Sequence, residues 1–133
     1  MVRTIEDVEF PSMRIELIRH LQTLSSPDYQ RLAWIDHCYP LGIEYDEFNL
    51  TIHFFYDDTL LSEDPDLCIG TILKSKEESD SIKRVVREME VLFDRYGLNL
   101  EDGEYMNKPE WKNIVTKAKD ACLIFGVLPS KLE

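Results

Sequence analysis

The stretch Asn49-Leu50-Thr51-Ile52-His53-Phe54-Phe55-Tyr56 decides what kind of fold this chain takes. Read at a period of two, Leu50, Ile52, Phe54 and Tyr56 fall on one face, with Thr51, His53 and Phe55 on the other. β-Branched and aromatic residues in that alternation predict a strand with one buried side. Ile43-Glu44-Tyr45 reads as a short partner strand. A lone hairpin is marginal in water, so helices must cover its apolar face.

Those helices are visible on either side. Met13, Leu17, Leu21 and Leu24, widened by Ile18, predict a helix over 12–24, with Ser12 as cap after Pro11. Ser26-Pro27-Asp28 opens a second, with Ser26 as cap and Pro27 in the first helical position, ending near His37 before Pro40 and Gly42. Ser75 and Glu78 form a capping box for a third helix. Its stripe is Ile82, Val85, Val86, Met89, Leu92, Phe93 and Tyr96, and Gly97 stops it. A fourth starts at Asn107, carries Trp111, Ile114, Val115, Ala118, Cys122 and Phe125 inward, and ends at Gly126. Residues 57–74 are ambiguous, with a short helix possible from Pro65-Asp66. The expected architecture is a single α+β domain over residues 1–133, about four helices packed on a small two- or three-stranded antiparallel sheet.

Charge is distributed unevenly. The net charge is −11, and between Arg31 and Lys74 there is no Lys or Arg. Those 42 residues carry nine acids: Asp36, Glu44, Asp46, Glu47, Asp57, Asp58, Glu63, Asp64 and Asp66. The rest of the chain nets only −2, from 17 acids and 15 bases. Such a block repels nucleic acid and anionic membrane, and it steers a basic partner toward itself. Seven of the fourteen aromatic residues lie in or beside the same block: Trp34, Tyr39, Tyr45, Phe48, Phe54, Phe55 and Tyr56. Aromatic anchors amid acids suit an interface for a basic protein. Aromatics that only fold the loop back onto the core are the equal alternative.

Enzymatic and metal readings find little support. The three cysteines, Cys38, Cys68 and Cys122, are odd in number and widely spaced, which predicts reduced thiols rather than a disulfide framework. His20, His37 and His53 contain no HxxxH or HxH pair. Asp64-Pro65-Asp66 lacks the Asp/Asn-Gly and late Glu of a calcium loop. No GxxxxGK[ST], GxGxxG or GxSxG is present, and no carboxylate is singled out for acid–base work. No apolar run approaches the roughly 20 residues of a spanning helix. Met1-Val2-Arg3-Thr4-Ile5-Glu6-Asp7 is unlike a leader, so the expected location is the cytoplasm. Neither a cofactor nor an enzymatic activity is expected.

Several short motifs together resemble a known family. They are Pro27-Asp28-Tyr29-Gln30-Arg31, Trp34-Ile35, Tyr39-Pro40, Tyr56-Asp57-Asp58-Thr59, Asp64-Pro65 and Ile69-Gly70-Thr71-Ile72-Leu73. They resemble a family of small bacterial proteins named from a streptomycete locus, across Val8 to Ala121. That resemblance implies a bacterial domain without an assigned catalytic activity. In size and charge the chain is also similar to immunity proteins of toxin systems such as contact-dependent growth inhibition, a likeness without a motif.

The functional expectation is therefore an immunity-type inhibitor that binds a basic protein partner, a cognate toxin domain and in the first instance a nuclease. It binds neither nucleic acid nor membrane. Glu44, Asp46, Glu47, Asp57, Asp58, Asp64 and Asp66 would face the toxin's lysines and arginines, with Tyr45 and Phe48 as buried anchors. Two other classes stay open. One is a small enzyme or ligand-binding domain with a pocket between strand and helices, near His53 and Asp57. The other is an oligomerisation module built on the third helix.

Overall fold

The computed structural model describes residues 7–40 and 42–129. Met1–Glu6, the start read for a leader, lie outside the described residues. Among the described residues six α-helices follow one another: α1 (Pro11–Leu24), α2 (Pro27–Gln30), α3 (Phe48–His53), α4 (Lys76–Tyr96), α5 (Asp102–Met106) and α6 (Trp111–Phe125). α2 continues into a π-helical turn, Arg31–Ile35, and α3 into another, Phe54–Asp58. A 3-10 turn covers Pro65–Cys68.

No strand is present among the described residues; the one β-bridge, Ile69 with Leu73, is isolated. The α+β expectation, with its antiparallel sheet, is therefore corrected to an all-helical fold. The stretch read as a strand is helical. Its true inward face begins one residue earlier, at Phe48, and continues through Thr51, Ile52 and Phe55. That i, i+3, i+4, i+7 set is buried or half-buried, whereas Leu50 is 41% exposed. With Phe48 added, the stretch satisfies both periods, and tertiary packing chooses between them. Ile43-Glu44-Tyr45, read as the partner strand, is irregular chain.

Local signals set several helix ends. The Ser26 hydroxyl accepts the Tyr29 N–H at 3.2 Å, and the Ser75 hydroxyl accepts the Glu78 N–H at 3.2 Å. Glu78 does not complete the box on Ser75. It accepts the Lys74 N–H at 2.8 Å and the Arg14 guanidinium at 2.7 and 2.8 Å, tying α4 to α1. Pro11, not Ser12, takes the first position of α1, and Phe10 precedes it without a side-chain cap. The last helix begins at Trp111 rather than Asn107, because residues 102–106 form the separate helix α5. Gly126 ends α6 in the left-handed region (φ 77°), which glycine adopts without a Cβ penalty.

The buried residues form one cluster. α4 packs on α6, and α6 on α1. Ile82, Val85, Met89 and Leu92 of α4 and Ile114, Ala118 and Cys122 of α6 all belong to it. Phe48 is 1% exposed and sits within 5.0–6.0 Å, centroid to centroid, of Trp34, Phe93, Tyr105 and Trp111. The π turn after α2 carries Trp34 inward beside Ala33. Gln30, fully buried, donates to the Thr23 and Leu24 carbonyls and accepts the Trp111 indole N–H at 2.9 Å, so α1, α2 and α6 share one satisfied polar joint.

Candidate partner-binding site

The nine residues singled out for docking do not form one surface. Phe48 is in the middle of the aromatic core, so it stabilises the fold and cannot anchor a partner. Asp46 is 8% exposed and accepts the Tyr29 hydroxyl at 2.7 Å. Asp66 is exposed but already answered: Lys76 at 3.0 Å, Lys83 at 2.9 Å and the Ser79 hydroxyl at 2.6 Å all reach it. Those contacts, the Ser79 hydroxyl first, hold its carboxyl well below the usual range. Asp64 caps the 3-10 turn by accepting the Asp66 N–H at 3.2 Å. Asp57 pairs with His53 one turn back on the exposed side of α3, and Asp58 is exposed beside it. Glu44, Tyr45 and Glu47 remain as a surface group, with Tyr45 54% exposed and donating its hydroxyl to Glu47.

That group joins residues from the far end of the chain. Glu47 leads into α3, and the first free N–H of that helix, on Phe48, is accepted by Asp102 of α5 at 3.2 Å. The contact brings Glu101, Asp102 and Glu104 beside Glu47 around a cleft of about 690 Å³. Among the described residues lining it there is no Lys or Arg. His37, also on its wall, ends the α2 segment in the left-handed region (φ 54°), the one non-glycine there among the described residues. Its ring lies 6.5 Å from Tyr39, and Tyr39 lies 6.0 Å from Tyr45. A row of three rings thus borders the carboxylates.

Electrostatics at the cleft are those of crowded like charges. Burial raises the Asp102 carboxyl above its ordinary range, and Glu47, Glu101 and Asp46 add to the rise, while the Phe48 N–H opposes it. The hydrogen bond to Glu47 raises the Tyr45 phenol to about 12, so it stays a donor. Trp34, another lining residue, has an indole N–H that is buried with no partner among the described residues. The arrangement can receive cationic side chains; among the described residues no three His, Cys, Asp or Glu gather as metal ligands. Two of the three thiols, Cys68 and Cys122, are buried, and Cys38 is exposed.

Sequence reasoning missed Glu101, Asp102 and Glu104 because they lie outside the base-free block. The signal for them was Glu101-Asp102-Gly103-Glu104, three acids in four residues just before the last helix. Glu104 accepts the Glu101 N–H at 3.2 Å, a capping arrangement that starts α5.

Residues 8–130 match the model of a family described as a domain of unknown function, DUF7945. Neither a curated protein nor a solved structure matches the chain. No helix among the described residues is long and apolar enough to cross a membrane.

Proposed function

We propose that this chain, which belongs to the DUF7945 family, is a binding protein that docks a basic protein partner on the cleft between α3 and α5. The observation that carries the reading is the wall of Glu47, Glu101, Asp102 and Glu104 with no base among them, bordered by Tyr39 and Tyr45. Carboxylates held in a concave, partly desolvated site attract Lys and Arg more strongly than the same charges spread over open surface. Tyr45 supplies an exposed aromatic face with a fixed hydroxyl, the residue type that anchors interfaces. The proposed partner is a toxin domain that uses lysines and arginines on nucleic acid, and covering those bases would neutralise it. This is the immunity-type role; its bacterial setting rests on the motif resemblance.

The test is to mix the protein with the toxin encoded beside its gene. A stable complex by size exclusion at low salt, and rescue of growth on co-expression, are expected. The Glu47→Lys/Glu104→Lys variant should lose both while keeping its helical circular dichroism. No complex and no rescue with the native protein would sink the reading. Rescue that survives the double reversal would move the interface elsewhere.

A further inference from the structure

A second depression lies next to the acidic cleft, and its chemistry is different. It is a groove of about 450 Å³ between the α3 segment and the C-terminal half of α4, within the size range of small-molecule sites. Asn49 and Leu98 line both depressions and form the ridge between them. The groove has apolar walls, from Ile52, Tyr56, Phe93 and Leu98. Its charged rim consists of Asp57, Glu90 and Asp94, with His53 and no Lys or Arg among the described lining residues. Only Asp57 has an ion-pair partner among the described residues, the ring of His53. Glu90 and Asp94 have none, although Lys83 and Arg87 stand on the same helix.

We infer that this groove binds an organic ammonium ion with an apolar body. The walls fit the body, and the rim supplies negative charge from Glu90 and Asp94, neither of which has an ion-pair partner among the described residues. Tyr56 and Phe93 meet nearly edge to face, with centroids 6.2 Å apart, so an ammonium among them gains cation–π attraction as well. The Tyr56 ring lines the groove, while its hydroxyl is buried behind it with no hydrogen-bond partner among the described residues. Burial, with Glu90 and Asp94 adding to it, raises the same phenol to about 12, so it stays neutral and adds no negative charge of its own. The shape argues against a bare inorganic cation, which would gain nothing from four apolar residues. It argues equally against a carboxylate ligand, which three acids would repel. This inference does not depend on the docking of a protein in the neighbouring cleft.

The experiment is a titration of the full chain, followed by heteronuclear NMR, with three probes of one shape: phenethylammonium, phenethyl alcohol and hydrocinnamate. The ammonium is expected to saturate and to shift signals of Ile52, Tyr56 and Phe93, roughly tenfold tighter than the alcohol, with no saturation by the anion. Glu90→Gln/Asp94→Asn, two substitutions on the outside of α4, should weaken the ammonium by roughly fivefold and leave the alcohol unchanged. Equal affinity for all three probes would overturn the charge assignment. Shifts confined to Glu101, Asp102 and Glu104 would show that the amine is only a counterion of the acidic cleft. Failure of the ammonium to saturate would overturn the ligand class.

Discussion

Asp102 carries two opposing duties. Its carboxylate caps the Phe48 N–H, yet burial and the neighbouring acids disfavour its charge. Asp102→Ala should therefore cost about 1 kcal/mol in urea denaturation through the lost cap, whereas Asp102→Asn keeps an acceptor and should cost less. The raised pKa fixes a sign with pH. The folded protein holds this proton more tightly than the unfolded chain. The contribution is complete below the ordinary Asp pKa and is lost as pH rises through the folded value. The stability of the native protein relative to Asp102→Asn should thus fall as pH is raised from about 4, the ordinary Asp value; a flat difference would refute the burial argument. Tyr29 poses the complementary case. Burial and the Asp46 carboxylate keep its phenol protonated, so it remains the donor to a carboxylate that is itself 8% exposed. Tyr29→Phe should cost about 1–3 kcal/mol, because it leaves a buried charge short of a partner.

At the scale of elements, the identity of 48–58 is the question that alanine substitution answers directly. In the helix, Phe48 is core and Leu50 faces solvent; in the strand that the alternation predicts, Leu50 would be core. Phe48→Ala should cost about 3–5 kcal/mol, and Leu50→Ala should stay within about 0.5 kcal/mol, as surface changes do. A large loss at Leu50 would restore the strand. α4 and α6 were legible from sequence alone. Their stripes run over several turns, so Ile82, Val85, Val86 and Met89, or Ile114, Val115 and Ala118, fit one period and not the other. The α3 segment has too few turns for that discrimination. The π turns after α2 and α3 were not legible either. They shift the inward face by a fraction of a turn, which brings Trp34 inside without any mark in the local pattern.

For the whole molecule, net charge and its placement make a kinetic prediction. A basic partner should associate quickly at low salt, with a rate that falls roughly tenfold or more as ionic strength approaches physiological values. Glu101→Gln/Glu104→Gln should lower that rate with little change in dissociation, because glutamine preserves the capping hydrogen bond while removing the field. Stopped-flow association across a salt series reads both effects; a salt-independent rate would exclude steering by this face. The amino-acid sequence by itself determined the charge asymmetry, the caps at Ser26 and Ser75, the stop at Gly126 and the two long amphipathic helices. The caps, the stop and the helical stripes each depend on residues only a few positions apart, and the charge asymmetry is a matter of composition along the chain. Tertiary structure alone decided that 48–58 is helical, that Phe48 belongs to the core, and that Glu47 shares a cleft with Glu101, Asp102 and Glu104. The first two follow from which apolar partners surround the segment once α4 and α6 have packed. The third rests on a hydrogen bond between residues 54 positions apart, a proximity that local sequence pattern does not encode.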